Sequence, residues 1–168
     1  MWREILTPIL LAIAITAPIA GGAVMQPVRH PEPRPVAVAA GPAGAVELRP
    51  YEWHDLDTAQ GVLQLPYGVS LDASRGVRAL GYDGWEIGSR PGAGVTNEER
   101  RKGREGLEAL RRLSDGCELW AEPDRGGRYD SFGRPLAALW LRRVGTGEWI
   151  ELRAWAVAGG HVRTQAGR

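Results

Sequence analysis

The sequence predicts a mainly β fold with some α: five short strands closing into a small barrel, a helix between the third and fourth strands, and a short C-terminal helix. Three observations predict it. Apolar runs of strand length recur between turn residues from Val46 onward. One stretch of helical spacing, Thr96 to Gly116, interrupts them. A final apolar run, Glu148 to Gly160, reads as a strand end passing into a short helix.

Residues 1–25 carry one Arg and then an apolar stretch from Ile5 to Met25, the length of a signal peptide or a membrane anchor. Pro8 and Pro18 oppose a continuous helix, and Gly21 to Ala23 offers small residues for cleavage. The expectation is a secreted or membrane-anchored chain whose domain lies outside the cytoplasm. Membrane contact is expected only through this segment, if it is not cleaved. Residues 26–45 are rich in Pro, Gly and Ala; repeated X-Pro steps favour extended backbone and a linker. Residues 46–168 then form the domain.

Within it, VELRPYEW, GVLQLPYGVSL and GVRALGY read as three strands. Thr96 and Glu99 form a capping box, Leu107, Leu110 and Leu113 recur at helical spacing, and Gly116 suits a C-cap. Gly103 and Gly106 weaken the interior of that helix, and its RRKGR run reads as a solvated face. CELWAEP and PLAALWLRRV supply two more strands. Trp120, Trp140, Trp149 and Trp155 are expected to fill the core, with Cys117 as a small buried hydrophobe. This order of elements is that of an OB-type barrel.

The formal charge is +1, so attraction for nucleic acid has to come from locally placed arginines. Lys102 is the only lysine. With Cys117 as the single cysteine there is no internal disulfide and no cysteine-rich metal site. His54 and His161 lack partners at ligand spacing, so zinc is not expected. A monomer is expected.

Three motifs carry candidate chemistry. In HDLDT, Asp55 and Asp57 would share a face of an extended chain and suit a hard cation, although Asp is equally at home in a turn. In VRALGYDGWE, Arg78, Leu80 and Tyr82 would share a strand face. Asp83 would join Asp57 on a metal and Glu86 would face a water, while Asp83-Gly84 also reads as a hairpin corner. In DRGGRYDSFGRPLAALW, Arg134 stands at the start of a strand, either solvated or aimed at phosphate.

In this order, with a helix between the second and third, the motifs resemble those of the thermonuclease family, the staphylococcal-nuclease-like domains, over roughly residues 46–163. The family pattern is Asp-Gly-Asp-Thr, then Val-Arg-Leu-x-Gly-Ile-Asp-Thr-Pro-Glu, then Asp-x-Tyr-Gly-Arg-x-Leu-Ala; this chain has DLDT, VRALGYDGWE and DSFGRPLA. Leu56 stands where the family has Gly, and Gly84-Trp85 where it has Thr-Pro. The resemblance implies calcium (Ca2+) held by Asp57, Asp83 and the Gly84 carbonyl. It also implies Glu86 as general base, Arg78 and Arg134 clamping the scissile phosphate, and Phe132 stacking on a substrate base. Asp55 falls near the metal. The activity implied is calcium-dependent hydrolysis of phosphodiester bonds in DNA or RNA. The alternative is an inactive OB-type module that only binds single-stranded nucleic acid or a protein partner at the cell envelope, which Trp85 and the low charge favour.

Overall fold

The structure is a computed structural model describing residues 37–38 (backbone only), 41–88 and 94–163, all within one compact unit, Glu32–Arg168. The leader expected over residues 1–25 and the linker as far as residue 36 lie outside the described residues. No helix among the described residues is long and apolar enough to cross a membrane.

In chain order the elements are β1 (Ala37–Val38), β2 (Val46–Asp55), β3 (Thr58–Gln64), β4 (Ser70–Ala79), β5 (Asp83–Gly84), α1 (Asn97–Ser114), β6 (Cys117–Pro123), β7 (Leu136–Arg143), β8 (Trp149–Glu151), α2 (Leu152–Ala158) and β9 (Val162–Arg163). β2, β3 and β4 form an antiparallel meander. β6 pairs with β2 and β7, and β7 closes the ring by running parallel to β4, with Arg78 opposite Leu136. The result is a five-stranded closed barrel with α1 between its third and fourth strands, an OB-type architecture. β8 extends the sheet beside β7, and β1, inside the stretch expected to be linker, pairs with β8.

The core follows strand alternation. Leu119 and Ala121 on β6, and Leu139 and Leu141 on β7, point inward with Leu48, Leu56, Val77 and Ile150. The residues between them face outward, which corrects the tryptophan expectation. Trp155 is buried, but Trp120 and Trp140 lie opposite each other on the outer face of β6 and β7 and are half-buried, as is Trp149. Trp53, not singled out in the sequence, is the other core tryptophan among the described residues, and its Nε1 donates to Ser114 Oγ at 3.1 Å. Cys117 is half-buried rather than buried.

Two strand boundaries also shift. GVLQLPYGVSL is not one strand: Pro66–Gly68 turns the chain between β3 and β4, with Tyr67 and Gly68 both at positive φ. GVRALGY does not stay extended, because β4 stops at Ala79 and Gly81 turns at φ +86°. Arg78, Leu80 and Tyr82 therefore do not share one strand face.

α1 begins at the expected capping box, with Thr96 Oγ1 accepting from the Glu99 N–H and Glu99 Oε2 accepting from the Thr96 N–H at 2.8 Å. Three i,i+4 ion pairs (Glu98–Lys102, Arg101–Glu105, Glu108–Arg112) run along its exposed side, as expected of a solvated face. Its glycines have a reason the sequence did not show. A Cβ on Gly103 would lie 2.7 Å from the Trp85 carbonyl oxygen and 2.8 Å from that of Glu86. One on Gly106 would lie 2.8 Å from Leu56 Cδ1. The helix forgoes propensity to let the segment carrying Glu86 lie against it.

Gly103→Ala should therefore lower stability. The added methyl favours the helix by up to about 1 kcal/mol, but pressing on two backbone carbonyls costs about 1–3 kcal/mol. A urea midpoint at or above that of the parent chain would contradict this close packing.

Candidate functional site

The candidate residues meet at one mouth of the barrel, where the β2–β3 turn, the end of β4 and the start of β7 come together. Asp55 is the last residue of β2, and Leu56 and Asp57 make the turn to β3. The two aspartates thus bracket a turn rather than sharing a strand face, and Asp55 Oδ1 accepts from the Asp57 N–H at 3.1 Å. Asp57 is 3% exposed. Its Oδ1 accepts from Arg78 Nη1 and from Thr58 Oγ1, and its Oδ2 from the Gly84 N–H at 2.6 Å.

Arg78 also donates through Nη2 to Asp83 Oδ1 at 2.6 Å, so one guanidinium bridges both aspartates. Asp83 and Gly84 are not a hairpin corner. They form β5, which pairs with β9 through Asp83 opposite Arg163 and Gly84 opposite Val162. Tyr82, buried just before them, donates its hydroxyl to the Leu56 carbonyl at 3.1 Å.

Arg134 approaches from the other side. Asp130 Oδ1 accepts from the Phe132 and Arg134 N–H groups, and its Oδ2 from Arg134 Nε at 2.7 Å. Thus held, Arg134 Nη1 donates to Thr58 Oγ1 at 3.0 Å, on the residue next to Asp57. A continuous polar chain results: Asp130, Arg134, Thr58, Asp57, Arg78, Asp83. Asp130 and Thr58 lie inside the quoted motifs without having been assigned roles. The signal for Asp130 was its position four residues before Arg134 in a Gly-rich loop.

Beside this chain is a cleft of about 640 Å³ whose lining includes His54, Asp55, Arg78, Asp83, Glu86, Phe132 and Arg134. Glu86 is exposed on it and forms no hydrogen bond or ion pair with another described residue. Phe132 is 60% exposed, with the Arg134 guanidinium 5.4 Å from its ring centre. Trp85 does not line the cleft. Its Nε1 donates to the Gly160 carbonyl at 3.1 Å, and Lys102 and Arg163 lie over its ring at 5.0 and 5.6 Å.

Leu56 and Gly84 pack closely against each other. A Cβ on Gly84 would lie 2.5 Å from Leu56 Cβ. The Leu56 side chain on the turn takes the space that a side chain at position 84 on β5 would need.

Carboxylate oxygens of Asp57 and Asp83, the kind of donor a hard cation takes, converge on one positive group. That group is Arg78, so an ion would share both carboxylates with it. Among the described residues no three His, Cys, Asp or Glu side chains gather to hold a metal. Burial is the main influence raising the Asp57 carboxyl, to about 7; the neighbouring Asp55 adds to it, and Arg78 and the Gly84 N–H oppose it.

Gly84→Ala should be destabilising alone, and much of that loss should vanish in a Leu56→Gly background, with a coupling of about 0.5–3 kcal/mol in a double-mutant cycle. Additive effects would contradict the shared space. The folded Asp57 holds its proton well above the ordinary carboxylate value of 3.8, so its contribution to stability should fall as pH rises from 3.8 to about 7 and be flat above. Asp55→Asn should move the Asp57 midpoint downward in a carboxyl NMR titration. Compared with known proteins, the chain matches no family model and no curated relative.

Proposed function

We propose that this chain hydrolyses phosphodiester bonds in DNA or RNA in a calcium-dependent reaction. The observation that carries the reading is that two arginines, Arg78 and Arg134, line one cleft with Asp83 and the uncommitted carboxylate of Glu86, while buried Asp57 is joined to that cleft through Arg78. A phosphodiester is anionic and resists attack until its charge is offset and a water is deprotonated.

Asp57 and Asp83, with the Gly84 carbonyl, would hold the calcium ion, which when bound offsets charge on a phosphoryl oxygen. Glu86 faces open solvent in the cleft and takes the proton of the attacking water, a contribution of about a hundred- to ten-thousandfold in such reactions. Arg78 spends two N–H groups on the aspartates, and Arg134 two on Asp130 and Thr58. A guanidinium has five such donors, so each arginine keeps three for phosphate oxygens. Because both are braced by carboxylates, they meet the developing charge with little reorganisation.

A second reading, a module that binds nucleic acid without cutting it, draws on Arg78 being held by both carboxylates. One experiment separates the two: cleavage of single- and double-stranded DNA and of RNA, with calcium, with magnesium and with chelator, by the parent chain and by Glu86→Gln. The expected result is metal-dependent cleavage that drops at least a hundredfold in Glu86→Gln, with the circular dichroism spectrum unchanged. Equal cleavage by both chains would overturn the role of Glu86. Binding without cleavage under every condition would favour the second reading.

A further inference from the structure

Arg75 stands outside the constellation at the barrel mouth. It lies in a bulge of β4. Ala59 pairs with Val77 and Gly61 with Ala73, so Gln60 faces a stretch with two extra residues. Gly76, at φ +94°, makes that bend, and a Cβ there would lie 2.5 Å from Thr58 Cγ2. The bulge breaks the strand's alternation and leaves Arg75 exposed beside buried Gly76 and Val77.

A second hollow, of about 380 Å³, is lined by Arg75, Phe132 and Arg134. Phe132 and Arg134 also line the main cleft, so they form the wall between the two. The site arginines are tied to carboxylates: Arg78 to Asp57 and Asp83, and Arg134 to Asp130. Arg75 makes no side-chain hydrogen bond or ion pair with another described residue. An uncommitted arginine thus shares a hollow with an exposed aromatic residue that borders the cleft.

We propose that Arg75 makes this hollow a subsite for the flanking nucleotide of a single-stranded polynucleotide: its guanidinium takes the neighbouring phosphate, beyond the base whose stacking on Phe132 the resemblance already implies. The proposal rests on the phosphodiester reading of the main cleft. A phosphate at Arg134 has a polymer leaving it in two directions, and one of them passes over Phe132 to Arg75. Stacking on an exposed ring requires a base free of its duplex neighbours, and an aromatic face accepts any base, so the preference is for single strands rather than for a sequence.

The test measures binding by fluorescence anisotropy, using the full chain carrying Glu86→Gln with and without Arg75→Ala. The probes are a labelled dinucleoside monophosphate, an eight-nucleotide single strand and the corresponding duplex. Arg75→Ala should weaken binding of the single strand several-fold. It should also lower the slope of log K against log salt by about 0.7, the value for one phosphate of a single strand. The dinucleoside monophosphate, with only one phosphate, should bind both chains alike. No effect on the single strand, or an equal loss for the dinucleoside or the duplex, would overturn the subsite and leave the main-cleft reading standing. Failure of the Glu86→Gln chain to bind any probe would overturn both.

Discussion

The mouth of the barrel is organised around one guanidinium. Arg78 leaves the last turn-ward residues of β4 and joins the β2–β3 turn, through Asp57, to the short strand β5, through Asp83. Asp57 is almost fully buried and Arg78 is 22% exposed, so this is a largely desolvated ion pair. Breaking such a pair by removing one partner typically costs about 3–5 kcal/mol, because the other charge stays buried without compensation. The pair's net worth to stability is smaller than that; its main effect is to fix where three otherwise separate backbone segments stand.

Everything else at the site is arranged to keep that bridge in register. β9 pairs with β5, so the C-terminal end of the chain holds the segment bearing Asp83 and Gly84. Arg163 on β9 reaches Glu99 at 3.1 Å, and Glu99 is the residue that completes the capping box of α1. Lys102, one turn along the helix, lies over Trp85. The helix start, the terminal strand and the site segment are thus linked by the same few charges. Trp85 serves this support and stays out of the cleft. On the far side Asp130 folds its loop around itself and aims Arg134 at Thr58, which is rigid because it begins β3.

The fold was largely legible from the sequence because its signals are local. The capping box, the leucine spacing of α1 and the alternation in β6 and β7 each follow from neighbours within a few residues. Where the reading missed, non-local effects had decided. Trp120 and Trp140 are large and apolar, yet alternation places them opposite Leu119, Ala121, Leu139 and Leu141 in facing, and those smaller side chains take the interior. Gly103 and Gly106 look like flaws in a helix until the backbone at Trp85 and Glu86 and the side chain of Leu56 are seen against them. Leu56 and Gly84 look unrelated in the sequence, because nothing along the chain says that position 84 crosses over position 56.

The sequence alone determined which charged groups were available, their order, and the strand and helix starts that carry them, since these depend on composition and on short-range backbone preference. Only the tertiary structure decided how those charges pair. Arg78 lies between Asp57 and Asp83, Arg134 is braced by Asp130 and Thr58, Glu86 is left uncommitted in the cleft, and Arg75 is turned outward by a bulge. The reason is that an ion pair depends on distance and desolvation. Both are set by barrel closure, which brings together side chains that lie dozens of residues apart along the chain.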